Sequence, residues 1–355
     1  MSEEKEFKGP KSIKSLSAVK SRRRKKLVEV FVAVAAVLIL ICGYFYFDWA
    51  SNSPSSKVQV QIVVKQGETL SGLTSYLKNE GVIRSEFAFK LYLHLYTPPP
   101  LNPGTYTFFK PTSFPDLYSL IKKGPDRFTL IVPPGLSVNQ IAVRVGNIPG
   151  KSASGFLSAV NSGVIRSPYE PSSVNSLEGL LGASNYDVTP NESYSTLINQ
   201  MISVFNHDAQ AAGLTQTPSN GLSAYQTVIV ASIVREEAGL ETDRPKVARV
   251  IFNRLNLGMK LEMDSTVRYA IGDPSRAPTL NELKINSPYN TYLYPGLPPT
   301  PISTVGVNDL SAVLNPASGN WLYFVVVSQN GAEAFSSTYS GQLANEALAK
   351  SRGLG

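Results

Sequence analysis

The chain has 355 residues, 43% of them hydrophobic and 17% charged, with a formal net charge of +7. That hydrophobic content excludes a wholly disordered chain, and the length suits about two domains. The charge does not mark a nucleic-acid surface. The first 26 residues hold ten Lys/Arg against three acids, and the rest of the chain is neutral by count.

After this basic segment, Val30 to Phe47 is an 18-residue run without a charge. As a helix it would span about 27 Å, close to the hydrocarbon thickness of a bilayer. Tyr44, Phe45, Tyr46, Phe47 and Trp49 crowd its far end, as an interfacial aromatic belt would. The basic residues before it predict a cytoplasmic N-terminus. A cleaved signal peptide is the competing reading. The run is long for one, and Asp48-Trp49-Ala50-Ser51 is a poor cleavage site. The expected division is a basic tail over 1–26, a transmembrane helix over 27–47 and a linker over 48–57. The only cysteine, Cys42, lies within the apolar run, so no intrachain disulfide can form.

Val58–Val64 opens with strict alternation, a strand signal. Gly67 turns the chain, and Thr69 is placed to cap a helix to about Asn79. A second helix is expected over Ser85–Leu95, closed by Pro98-Pro99-Pro100. A strand follows over Gly104–Phe109, then a helix over Ser113–Lys122. The segments Val63–Leu77 and Ile131–Val145 share one pattern. An apolar strand meets a glycine (Gly67, Gly135), a hydroxyl follows two residues on (Thr69, Ser137), and apolar residues then recur at helical spacing. The first copy resembles a LysM module, a small glycan-binding βα unit. Chance recurrence of a common strand–turn–helix pattern is the alternative.

Further on, amphipathic helices are expected over Asn191–Ala212, Leu222–Leu240 and Thr242–Leu257. The last would be capped by Thr242 or Asp243 and stopped by Gly258. Trp321–Val327 reads as a buried strand.

Several chemistries are poorly supported. His94 and His207 are the only histidines and lack metal-ligand spacing, so neither zinc nor a Ser-His-Asp triad is expected. Gly146–Ser152 imitates a phosphate-binding loop but is one residue short. No metal and no cofactor are expected. The positive signal is ASIVREEA, Ala231–Ala238. On a helix Val230, Ile233, Val234 and Glu237 share one face, so Glu237 continues an apolar stripe with a carboxyl group. Burial there would raise its pKa and suit it to act as a general acid. A Glu at a helix end that reaches solvent is the alternative. Glu236, rotated by about 100°, is expected in solvent.

ASIVREEA, VARVIFNRLNLGMKLEMDSTVRYA (Val247–Ala270), SPYNTYLYPGLPPTPI (Ser287–Ile302), LNPA (Leu314–Ala317) and LYFV (Leu322–Val325), in this order and spacing, resemble the endolytic murein transglycosylases, the YceG-like family. The resemblance covers roughly Val58 to the C-terminus. It implies an α+β fold: a single N-terminal transmembrane helix, a LysM-like module over 58–126 and a mixed α+β catalytic domain over 127–355. A second LysM-like element is conceivable at 127–165. It also implies a lyase that cleaves the MurNAc–GlcNAc β-1,4 bond within peptidoglycan strands and leaves 1,6-anhydro-MurNAc ends. The family's catalytic glutamate maps to Glu237.

The other motif residues are candidates for substrate binding, each with a structural alternative. Asn253 and Arg254 read as sugar-amide contacts, as groups orienting Glu237, or as a helix-end salt bridge. Asp264, in the Asp264-Ser265-Thr266 turn, reads as a substrate contact or a helix N-cap. Tyr289, Asn290 and Tyr292 read as a sugar-binding surface or as structural residues. Glu178-Gly179 matches the start of a segment that lines the family's cleft.

Departures from the family pattern are Arg235 for an acid, Gly182-Ala-Ser-Asn-Tyr186 for an aromatic-Pro-Asp-Thr-Tyr stretch, and Glu333 and Gln342 for histidines. The implied partners are glycan strands, a bacterial plasma membrane crossed once with the C-terminal domain outside, and peptidoglycan synthases, with no nucleic acid. A muramidase and a non-catalytic glycan-binding scaffold are the rival readings.

Overall fold

The computed structural model describes residues 14–54, 58–218 and 221–354, with side chains from residue 23 onward. Residues 1–13 of the basic tail and residues 55–57 of the expected linker lie outside the described residues. The chain forms two compact units, divided between Pro125 and Asp126.

In the first unit, helix α1 runs from Lys14 to Ser51 and carries an apolar stretch long enough to cross a membrane. It passes the expected start of the linker at residue 48. The reason is packing: Ala50 is fully buried, and Phe47 rests on the same core. Strand β1 (Gln59–Val64) is followed by α2 (Leu70–Asn79), α3 (Glu86–Leu95), β2 (Gly104–Phe109) and α4 (Phe114–Lys123). Strands β1 and β2 are antiparallel, with Gln59 opposite Phe109 and Val64 opposite Gly104. Alternation turns Ile62 and Val64 of β1, and Tyr106 and Phe108 of β2, toward Leu73, Leu77, Phe89 and Phe114. Thr69, Ser85 and Ser113 each accept a backbone N–H at the start of their helix.

The second unit begins with β3 (Arg127–Val132), α5 (Val138–Gly146) and α6 (Ala153–Val160). Strand β4 (Ser184–Val188) pairs antiparallel with β3, Phe128 opposite Val188. It is built from the segment that departs from the family pattern. Helix α7 (Tyr194–Ala211) completes this layer. The two segments with a shared sequence pattern build the same local structure. Each is a strand, a left-handed glycine (Gly67 at φ 82°, Gly135 at φ 95°), a hydroxyl cap and a helix.

The second core surrounds α8 (Ala224–Glu237). Helices α9 (Arg244–Asn256), α10 (Asp264–Ile271) and α11 (Val307–Leu314) all pack on it. The strand pair β5 (Tyr323–Val326) and β6 (Glu333–Ser336) and helix α12 (Tyr339–Ser351) close the unit. Two expectations are corrected here. Helix α8 is not amphipathic: it stops at Glu237 and is buried on every side from Thr227 to Val234. The two hydroxyls within that stretch are satisfied, since Thr227 Oγ1 donates to Ser223 O at 3.0 Å and Ser232 Oγ to Ile229 O at 2.8 Å. The expected buried strand over Trp321–Val327 is only the four residues of β5, and these are half-buried or exposed. With a single partner strand, one face of β5 rests on the core through Phe324 while the other meets α12.

Candidate active site

Glu237 is the last residue of α8. Val230, Ile233 and Val234 on its face are fully buried, so the packing of this stripe fixes where the carboxyl group emerges. At about 1.5–3 kcal/mol for each such side chain, the position is strongly enforced. The helix ends because Ala238 turns to extended backbone (φ −72°, ψ 117°). Gly239 follows, with no room for a side chain: a Cβ there would come within 2.5 Å of Gly331 O.

Helix α10 points its N-terminus at this carboxyl group. The Ser265 N–H, left free by the start of the helix, donates to Glu237 Oε1 at 2.9 Å. Burial pushes the half-buried Glu237 carboxyl above its ordinary range, while Ser265 and Arg268 pull against that shift. Arg235 points elsewhere, its Nη2 reaching Pro134 O at 3.4 Å.

Beside this contact lies a cavity of about 350 Å³, with Ser137, Gln140, Glu236, Ser265, Arg268 and Tyr269 in its wall. Glu236 is not the solvated residue expected from helical rotation. It is half-buried, and a Cβ on Gly135 would lie 2.9 Å from its Oε1. Burial raises its carboxyl, opposed mainly by Arg268. Arg268 Nη2 donates to Glu236 O at 3.2 Å, and its Nε is buried without a hydrogen-bond partner among the described residues. Ser265, Arg268 and Tyr269 escaped the sequence reading. Their one signal was helical spacing, which sets Arg268 one turn after Asp264 on the same face.

The predicted residues fall into two groups. Asp264 accepts the Tyr292 hydroxyl at 2.7 Å. It is the first helical residue of α10, and the N-cap is Met263, so the capping alternative does not hold. Glu178 is buried beneath Tyr269. Its Oε1 accepts the Val138 N–H at 3.0 Å, and its Oε2 accepts the Tyr269 hydroxyl at 3.0 Å. Burial drives its carboxyl up to about 7. Tyr269 in turn packs on Tyr289, ring centroids 4.7 Å apart, and the Tyr289 hydroxyl pairs with Thr300 Oγ1 at 2.7 Å.

The second group is engaged in holding the framework. Thr266 is fully buried and bonds Met263 O at 2.7 Å and Thr291 Oγ1 at 2.9 Å. Asn290, also fully buried, donates to Leu283 O and Ile285 O. Asn253 donates to Gly319 O and Trp321 O. Arg254 is 7% exposed and serves Leu322 O, Lys260 O, Leu261 O and Glu262. The helix-end salt bridge, one of the alternatives for Arg254, is present, Arg254 Nη1 to Glu262 Oε2 at 3.0 Å. Among the described residues, no cluster of three or more His, Cys, Asp or Glu side chains could hold a metal ion.

The family model for the YceG-like family matches residues 62–347. An endolytic murein transglycosylase of Bacillus subtilis is 28% identical over 319 residues, covering 84% of this chain and 88% of that protein. One from Streptococcus pneumoniae is 26% identical over 337 residues, and the match takes in 84% of this chain but only 61% of that longer protein. The crystal structure of a YceG-like protein from Listeria monocytogenes is similar at a TM-score of 0.65 and 26% identity, covering 81% of this chain and 99% of that one. The matched residues include α8, α10 and the cavity between them and α5, and the chain belongs to the YceG-like family.

Proposed function

We propose that this protein is an endolytic peptidoglycan lytic transglycosylase with Glu237 as its acid and base. The observation that carries the assignment of the acid is a single carboxyl group held between opposing influences. It sits half-buried at the end of α8, yet it faces the N-terminus of α10 through the 2.9 Å Ser265 contact. Protonated, it can donate to the glycosidic oxygen as the C1–O bond of MurNAc breaks. Ionised, it can take the proton of the sugar's own C6 hydroxyl, which attacks C1 and closes the 1,6-anhydro ring. An intramolecular nucleophile needs no second carboxylate to activate water, because its effective concentration is already high.

The cavity, whose wall holds Glu236 and meets Glu237 through Ser265, supplies hydroxyl, amide and guanidinium donors suited to sugar and N-acetyl groups. In this reading Asp264, Tyr292 and Tyr289 flank the bound strand, and Glu178 supports it through Tyr269. Asn253, Arg254, Thr266 and Asn290 hold the surrounding loops. The β1–α2 segment is read as a LysM-like contact for the same strands, with β3–α5 as its counterpart. Helix α1 is read as a single-pass anchor in the plasma membrane. The basic tail would be cytoplasmic and the C-terminal region outside, where glycan strands and peptidoglycan synthases are the fitting partners.

The test is digestion of purified glycan strands by the full chain, with mass spectrometry of the products. Anhydro-muramyl ends from internal cleavage are expected, and Glu237→Gln abolishes them by at least a hundredfold, the usual scale of general acid–base catalysis. Reducing ends would instead identify a muramidase. Binding without cleavage would identify a scaffold. An active Glu237→Gln protein overturns the assignment of the acid.

A further inference from the structure

Helix α1 does not hang from the first unit on a slack tether. Its last turns are built into that unit. Tyr46 Oη lies 2.7 Å from Ser85 Oγ, the cap of α3. Arg84 Nη1 donates to Trp49 O at 2.8 Å, and its guanidinium stands 5.1 Å over the Trp49 ring. Phe47 meets Phe114 edge-on at 6.2 Å, and Ala50 is fully buried. Helix α3 therefore starts at the level where the apolar run of α1 ends.

One face of α3 has a packing partner and another has none among the described residues. Ala88, Phe89, Tyr92 and Leu93 are buried in the unit. Phe87, Leu91 and Leu95, spaced one turn apart, are 71%, 44% and 68% exposed. A stripe of three large apolar side chains at i, i+4 and i+8 is a continuous ridge, not scattered surface residues. Trp49 of α1, itself exposed, lies against Arg84 just before α3, and Tyr44 and Phe45, also exposed, precede Trp49 by about one turn on α1. Arg84, seated on Trp49, and Lys90, paired with Glu86 at 2.7 Å, border the stripe in sequence, as basic residues flank helices that lie in the headgroup layer.

We propose that the Phe87–Leu91–Leu95 face of α3 is a membrane-contact surface, lying in the interfacial layer of the bilayer that α1 crosses. The occupant is the lipid surface because the stripe is continuous with the point where α1 leaves the apolar phase. The contact would hold the first unit down on the bilayer and restrict its swing about α1. The inference rests on α1 being a membrane anchor.

The test uses the full chain in vesicles of mixed phosphatidylcholine and phosphatidylglycerol. Cys42→Ser removes the only native thiol. Leu91→Cys, Leu95→Cys, Leu38→Cys in α1 and Lys122→Cys in α4 then each carry a nitroxide in turn. Collisions with oxygen, which partitions into lipid, are compared with collisions with a water-soluble nickel chelate. Labels at 91 and 95 are expected to show an oxygen-to-chelate ratio several-fold above that at 122, approaching that at 38. Lipid-like values at 38 with water-like values at 91 and 95 overturn the surface and leave the anchor standing. Water-like values at 38 refute the anchor reading and the inference with it. Dipolar broadening between labels at 91 or 95 would mean that a second copy covers the stripe, which also overturns the proposal.

Discussion

Glu178 allows the energetics of the site to be measured directly. It is 4% exposed, and burial outweighs the hydrogen bonds from Val138, Tyr269 and Gly179 that favour its charged form. Its carboxyl is raised from the ordinary 4.5 to about 7. At about 1.4 kcal/mol per pH unit between the two values, ionising it in the folded protein costs roughly 3 kcal/mol more than in the unfolded chain. Below about pH 4.5 both states hold the proton and nothing is lost. Between about pH 4.5 and 7 the folded state keeps a proton that the unfolded chain has released, so stability falls as pH rises. Above about pH 7 the full cost persists.

Glu178→Gln keeps the shape and has no proton to lose. Its amide oxygen can accept the Val138 N–H, and its amide N–H can donate to a reversed Tyr269 hydroxyl. Relative to wild type, the variant should gain about 3 kcal/mol between about pH 5 and 8. Glu333, also raised to about 7 by burial, titrates in the same window but is common to both proteins and cancels in the difference. Urea unfolding followed by Trp321 fluorescence, in a Trp49→Phe background, measures it. A stability difference that does not change with pH would refute the raised carboxyl group.

Two further outcomes concern the framework. Arg254→Met should cost about 3–5 kcal/mol, because it strips the Leu322, Lys260 and Leu261 carbonyls of a buried charged partner; urea unfolding checks this. Gly182→Ala should cost about 1–3 kcal/mol, since its Cβ would lie 2.6 Å from Phe205 N; an unchanged melting temperature contradicts it.

The segment around Gly182 shows how a departure from a family pattern acquires a physical meaning only in three dimensions. In sequence it is a run of substitutions. In the fold Gly182 lets α7 approach closely, its N–H donating to Met201 O at 2.9 Å, and the next residues build β4. The β-strand expected over Trp321–Val327 shows the converse. Its composition is that of a core strand, but among the described residues it has one partner strand, and its four residues are half-buried or exposed.

Local chemistry was legible in the sequence by itself. The 18-residue apolar run, the hydroxyl caps at Thr69 and Ser137, and the repeated strand–glycine–helix pattern depend on neighbours within a few residues, so reading along the chain finds them. The same is true of Glu237, whose apolar stripe has helical period. What the sequence could not decide is which polar groups meet. Ser265 reaches Glu237 from 28 residues away, and Glu178 meets Tyr269 across 91. No local spacing encodes such pairs, because they follow from how α8, α10 and α5 pack. That packing turned Glu236 from an expected solvent residue into part of the cavity wall, and it engages Arg254 and Asn290 with the carbonyls of neighbouring loops.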